Sequence, residues 1–322
     1  MQVKKVMTNS AEKQIRKMEG VVVSDKMDKT VVVQVEKTKM DSKYLKRFVQ
    51  ERNDVLYQRG GIEPVHRMRV ASRRLRAALS FFKIILPRQK AKFWKKEISK
   101  IGQALGRARE VDVHIAFLQA AKHKFKRDCY IVNTEVVIKS LEKQRMRVQK
   151  QIERVLAGFE TENNLPGLKV CLHKFPSGTR RHLNDRFYLH KRSAIQKRLD
   201  KLLEFSPYVS KPESIHKLHQ MRIAAKNLRY TLEIIRPWYG ARIDKYVLAS
   251  RDIQDVLGDV HELDVLMEVL PTLTAKNKDG NLTLKYLLQV CMRLRSNAYN
   301  KFVRFWGNLQ KTRLWVRLGR EI

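Results

Sequence analysis

Acidic residues are in short supply in this chain: 32 Asp and Glu stand against 68 Lys and Arg over 322 residues, for a formal net charge of +36. So many like charges oppose compaction. The partner to expect is therefore a polyanion, whether nucleic acid, an anionic membrane surface or another phosphate polymer, with an acidic protein a weaker candidate. Cysteine is scarcer still. Cys129, Cys171 and Cys291 are odd in number, far apart and outside any C-x-x-C pattern, which argues against a disulfide framework or a thiolate zinc site and suits a reducing cytoplasm. Long apolar runs are missing as well. Even the stretch 77–86 is interrupted by Lys83, far short of the roughly 18 to 20 apolar residues that span a bilayer. The opening MQVKKVMTNSAEKQIRKMEG has neither the apolar centre nor the small-residue cleavage site of a signal peptide. A soluble, cytoplasmic protein without a membrane span is expected.

Catalytic signatures are absent too. There is no G-x-x-x-x-G-K-[ST] loop, no G-x-G-x-x-G after a strand, no G-x-S-x-G elbow and no H-E-x-x-H. Glu160-Thr161-Glu162 has no Lys two residues on and no strand context, so it is no evidence for a tunnel-type triphosphatase. The expectation is a protein that is not an enzyme and carries no cofactor. What the chain does have is 43% hydrophobic residues, enough for a sizeable core in one large domain or two smaller ones.

The first forty residues differ from the rest. Val21-Val22-Val23 and Val31-Val32-Val33-Gln34-Val35 flank a polar turn segment and read as a β-hairpin. From Glu63 onward, apolar residues recur at three- and four-residue spacing and the few Gly and Pro punctuate them. Helices are predicted at about 63–86, 89–105, 109–122, 131–158, 180–205, 213–236, 242–257, 260–270 and 282–306. Segment 41–62 is a linker or helix, and 307–322 is a basic C-terminal tail. Residues 161–179, with breaks at 163–167 and 176–179, separate a first half (63–160) from a second (180–306).

An internal repeat supports the two halves. His66-x-Met68-Arg69-Val70-Ala71-x-x-x-Leu75-Arg76 reappears as His219-x-Met221-Arg222-Ile223-Ala224-x-x-x-Leu228-Arg229, an offset of 153. Leu105-Gly106-Arg107-Ala108-Arg109-Glu110-Val111-Asp112-Val113 reappears as Leu257-Gly258-Asp259-Val260-His261-Glu262-Leu263-Asp264-Val265, an offset of 152. Such a period is too long for a solenoid unit and points to a duplicated helical bundle with approximate twofold symmetry.

On a helical wheel, His66, Arg69, Arg73 and Arg76 lie within about 80° of one another, in a stripe about 15 Å long. Met68, Ala71, Leu75, Leu79 and Phe82 occupy the opposite face, so packing them turns the basic face outward or into a cleft. His219, Arg222, Lys226 and Arg229 repeat the stripe, opposed by Met221, Ile223, Ala225, Leu228 and Leu232. A merely solvated face would accept charge of either sign. Both stripes are wholly cationic and mostly Arg, whose planar fork of donors suits successive phosphates. His216 lies one turn before His219. Histidines at i and i+3 can share a metal ion, but no carboxylate or thiolate completes a shell and the neighbouring cations would repel it, so hydrogen bonding to phosphate is the favoured role. Glu110, Asp112, Glu262 and Asp264 read as orienting helices or pairing with the basic stripes rather than binding metal.

The stripes carry a resemblance. His66-Arg67-Met68-Arg69-Val70-Ala71-Ser72-Arg73-Arg74-Leu75-Arg76 resembles the H-x-x-R-V-x-x-R-R-L-R helix of the CHAD family, the conserved histidine α-helical domain. The second-half form, H-x-x-R-I-x-x-K-x-L-R-Y, stands at His219 to Tyr230, followed by Glu233. The L-G-x-x-R-D-x-D-V element stands at Leu105 to Val113, with Glu110 in place of its first Asp. The likeness runs from about 63 to 306. It implies an all-α fold of two four-helix bundles, here preceded by the hairpin, meeting at a basic groove or pore that binds inorganic polyphosphate. Family members accompany triphosphatase domains or occur at polyphosphate granules. The polyphosphate contacts so implied are His66, Arg69, Arg73, Arg74, Arg76, Arg107, Arg109, His216, His219, Arg222, Lys226 and Arg229, with RNA as a secondary polyanion and no metal. A second resemblance is confined to the start: Arg16 to Val33, continuing faintly through Tyr44-Leu45-Lys46-Arg47, is similar to the opening of small-ribosomal-subunit protein number seventeen, an OB-fold RNA binder. The later strands of that barrel are absent.

Overall fold

The computed structural model describes residues 21–27, 30–34, 43–57, 62–84, 86–123, 125, 128–161, 168, 181–274 and 280–322. The first twenty residues and the breaks expected at 163–167 and 176–179 lie outside them. Two strands, β1 (Val21–Met27) and β2 (Thr30–Gln34), pair antiparallel. Everything else described is helix or short connection, as three- and four-residue apolar spacing dictates. The helices are α1 (Lys43–Tyr57), α2 (Ile62–Phe81), α3 (Arg88–Lys122), α4 (Asp128–Thr161), α5 (Arg181–Leu203), α6 (Ile215–Tyr239), α7 (Asp244–Thr274), α8 (Gly280–Lys311) and α9 (Leu314–Glu321).

Chain neighbours pack on one another in each half. Helix α1 packs on α2, α2 on α3 and α3 on α4; α5 packs on α6, α6 on α7 and α7 on α8. Two of the contacts between the first-half and second-half helices matter most here. Helix α2 packs on α6, and α4 touches α7 and α8. The first junction belongs to a large core that includes Met68, Leu75 and Leu79 of α2 and Met221, Leu228 and Leu232 of α6, each almost fully buried. The second is a smaller cluster at the far ends of the long helices, built on Leu118, Leu141, Leu266 and Leu287. There the rings of Tyr130 and Tyr286 stack at 5.8 Å.

Four expectations need correction. The breaks at 105–109 and 257–260 do not exist: α3 and α7 run through Gly106 and Gly258 without interruption. An isolated helical glycine costs only about 1 kcal/mol, and buried Leu105, Ala108, Leu257 and Val260 on either side outweigh it. Pro237 and Pro271 do not stop their helices at once either, because each falls in the last turn. Of the two readings of segment 41–62, linker or helix, residues 43–57 take the helix: α1 inserts Phe48 and Val55, both at 0% exposure, into the core. The terminal segment is no tail, since α8 continues to Lys311 and α9 buries Trp315 and Leu318. Tyr44 to Arg47 open α1 rather than a barrel strand.

Deleting residues 1–40 should leave cooperative unfolding of the helical domain in place, because the helices cover their own apolar faces. Phe48→Ala should instead cost about 3–5 kcal/mol. Denaturant unfolding monitored by helical circular dichroism distinguishes the two.

Candidate phosphate-binding site

Burial of Met68, Ala71, Leu75 and Leu79 on one side of α2, and of Met221, Ala225, Leu228 and Leu232 on one side of α6, fixes the rotation of both helices. Ile223, expected among the packed residues, is only half-buried, and Ala224 is buried in addition. The two basic stripes then face each other across the α2–α6 junction. Arg69, Arg73, Arg222 and Lys226 are close enough to depress one another's basicity. Arg73 hydrogen-bonds to the side chain of Tyr230, and Arg76 donates to Ser99 Oγ at 3.0 Å.

Arg73, Arg76 and Lys226 line a cavity of about 560 Å³ bounded by α2, α3, α5 and α6. Lys83, Lys95, Lys197 and Arg198 add to its positive wall beside His190, and among its described lining residues there is no carboxylate. These five residues went unnoticed in the sequence because they sit outside the repeat. Only packing of α5 and the start of α3 against the stripes brings them in. Tyr230, which the wheel sets beside the second stripe, is among the residues lining the cavity although it is buried from solvent.

The row continues into a smaller cavity of about 80 Å³, lined by Arg69, Arg109 and Glu110 from the first half and Arg222, His261 and Glu262 from the second. These are matched positions of the sequence repeat. Nε of Arg69 and Nε of Arg222 are buried there without a hydrogen-bond partner, an arrangement that leaves two donors for an incoming anion. Glu110 and Glu262 raise the basicity of Arg69 and Arg222 respectively. Asp112 and Asp264 do otherwise: Asp112 binds Arg145 on α4 at 2.7 Å, and Asp264 binds Arg295 on α8. Each therefore ties one long helix to its neighbour.

Not every candidate joins the row. Arg74 leaves it for Glu233 at 3.0 Å, and Arg229 takes the same carboxylate at 2.9 Å while donating to Gln254. Arg107 is exposed and donates to Gln151 on α4 at 3.3 Å. His216 is exposed and lies 3.5 Å from Gln220. His66 keeps Nδ1 buried and unpartnered, whereas His219 Nδ1 lies 3.1 Å from His261 Nδ1. Among the described residues, no three His, Cys, Asp or Glu gather as metal ligands.

The family model for the CHAD domain matches residues 42–271, well over half the chain. The chain belongs to the CHAD family. A crystal structure of the CHAD domain from the plant Ricinus communis is similar in fold, with a TM-score of 0.63 at 20% identity over 82% of this chain and 88% of that one. PptA from Streptomyces chartreusis gives a TM-score of 0.56 at 13% identity, covering 82% of this chain and 95% of that one. No curated protein matches the sequence. A model for Ribosomal protein S17 matches only residues 20–56, and its last third coincides with α1 of the CHAD bundle. No helix among the described residues is long and apolar enough to cross a membrane.

In the CHAD cavity, burial and then the facing arginines lower Arg69 to about 10 and Lys226 to about 7. Burial, His219 and Arg222 together lower His261 to about 4, so the histidine pair is neutral at pH 7 and one ring donates to the other. The sign of the Lys226 effect follows. Between about 7 and the ordinary 10.5 the unfolded chain binds the extra proton, so this group makes the ligand-free protein more stable as pH rises through that window. Lys226→Met should flatten that rise. Thermal melts of both proteins at a series of pH values measure it.

Proposed function

We propose that this CHAD protein binds inorganic polyphosphate along the cationic row shared by α2 and α6, without hydrolysing it. The observation that carries the reading is the 560 Å³ cavity, walled by cations from four helices with no carboxylate among its described lining residues. A surface face that merely needs solvation has no reason to collect one sign of charge from both repeats around one cavity. The unpartnered Nε atoms of Arg69 and Arg222 extend the row beyond that cavity, and several phosphates on one backbone fit such a row better than one. On this reading the chain is a duplicated pair of bundles with approximate twofold symmetry. The equal order of helix neighbours in each half supports it, as do the matched Asp112–Arg145 and Asp264–Arg295 pairs. The setting is a compartment where polyphosphate collects, including granules.

RNA fits less well. The aromatic rings that line the large cavity, Phe81 and Tyr230, are both buried, so they offer bases no exposed stacking platform.

Reversing charge by Arg69→Glu with Arg73→Glu, or by Arg222→Glu with Lys226→Glu, removes two charged hydrogen-bonding groups worth about 1.5–3 kcal/mol each. Polyphosphate affinity should fall about a hundredfold or more for either pair. Lys143→Glu with Arg147→Glu, exposed on α4, changes net charge equally and should cost only the general field. Equal losses at matched salt and helical content would mean diffuse attraction with no defined site. For the wild type, log affinity should fall linearly with log salt, by about 0.7 per phosphate contact by analogy with single strands.

Purified protein should leave tripolyphosphate and ATP intact with Mg²⁺ or Mn²⁺. Turnover that survives repurification and is lost in Glu110→Gln or Glu262→Gln would overturn the non-enzymatic reading.

A further inference from the structure

Lys226 differs in kind from the cations around it. Arg69, Arg73, Arg76 and Arg222 all act on it from α2 and from its own helix. Lys83, Lys95, His190, Lys197, Arg198 and Tyr230 line the same cavity from the turn after α2 and from α3, α5 and α6. No guanidinium among these can serve as a nucleophile at neutral pH. Lys226 is half-buried among the arginines, while the other three lysines are exposed. It is therefore the one amine of this cavity held within a cluster of phosphate-binding forks, with no carboxylate among the described lining residues to hold its proton.

We propose that Lys226 is a site of acylation by acyl phosphates, compounds whose phosphate the surrounding arginines hold while the amine reaches the carbonyl carbon. The Nζ lone pair attacks that carbon, and the bond from carbon to the phosphate oxygen breaks. Phosphate departs with the bonding electrons and carries off the amine proton, so the products are N-acyl-lysine and hydrogen phosphate. No oxidant or further reactant enters.

The environment favours the step twice. Desolvation and neighbouring cations are the two ways a lysine amine is made nucleophilic, and both lower Lys226 to about 7. Near pH 7 about half of such amines are neutral, against about one in 2500 for an ordinary lysine. Lower basicity returns part of that gain. The arginines also concentrate the phosphate-bearing reagent beside the amine. Acylation would replace a cation at the centre of the row by a neutral amide, so that phosphate-linked metabolism could lower the polyanion affinity of the site.

The inference rests on phosphate binding by this cavity, and its test separates the two. The full-length protein is incubated with acetyl phosphate at neutral pH and its lysines are followed by peptide mass spectrometry. Lys226 should be acetylated at least about tenfold faster than the exposed Lys83, Lys95 and Lys197, because its gain in neutral amine exceeds the loss of intrinsic nucleophilicity. Added polyphosphate should slow Lys226 most. Labelling of Lys226 at or below the rate of those three lysines overturns the inference, whatever the binding result. Polyphosphate binding by the same preparation, measured by calorimetry, independently decides the proposed function. Lys226→Gln, which imitates the acylated charge, should weaken binding about tenfold, corresponding to the loss of one charged contact. Undiminished binding by this variant would overturn the regulatory consequence.

Discussion

Two rows of cations are held face to face by the packing behind them. Near a protein surface a close pair of like charges costs on the order of a few kcal/mol, and Arg69, Arg73, Arg222 and Lys226 make several such pairs across one junction. Opposing that are the large apolar side chains on the far sides of α2 and α6, among them Met68, Leu75, Leu79, Met221, Leu228 and Leu232. Each contributes about 1.5–3 kcal/mol when fully buried. The remaining architecture follows from this opposition. Long hairpins of α3 with α4 and α7 with α8 flank the junction, and their apolar ends meet at Leu118, Leu141, Leu266 and Leu287. The halves are thereby joined at a second point, remote from the repulsion.

One carboxylate sorts the arginines of the junction. Glu233 on α6 takes Arg74 from α2 and Arg229 from its own helix, so it bridges the two helices and neutralises cations on one flank. Arg69 and Arg222 have no such partner for Nε. The same helix pair therefore carries a clamped side and an open side. Deeper along the row Glu110 and Glu262 play a milder part, holding Arg69 and Arg222 charged without covering them. Asp112 and Asp264 pair directly with Arg145 and Arg295 on neighbouring helices and serve the scaffold.

Much of this is local and so legible in the sequence. The direction in which each stripe points follows from its apolar opposite face, and Met68, Leu75, Met221 and Leu228 are buried as their spacing requires. The repeat identified Asp112 and Asp264 as orienting residues, although their partners Arg145 and Arg295 are distant in the chain. Reading Gly106 and Gly258 as helix ends failed because a weak local propensity was weighed without the tertiary burial around it. Arg74 and Arg229 were assigned to the anion site because they are basic and belong to the motif. Arg229 meets Glu233 four residues on in its own helix, a local spacing, but the claim of the same carboxylate on Arg74 depends on a contact between α2 and α6 that no local pattern contains. Lys95, Lys197 and Arg198 were missed for the same reason.

On the proposed reading, a row of mutually repelling cations responds to its ligand cooperatively. The first phosphate bound between Arg73 and Lys226 screens each from the other and from Arg69 and Arg222, so repulsion is relieved at neighbours it does not touch. A second phosphate then meets donors already held in place, and if it belongs to the same chain it arrives at high effective concentration. Orthophosphate gains the first effect without the second. A polymer gains both until the row is occupied, and from His66 to Arg76 that row extends about 15 Å along α2. Selectivity for linked phosphates would on that reading need no group that recognises the linkage. It follows from placing cations closer together than they would otherwise stand, and from fixing them there by apolar packing that the ligand does not disturb.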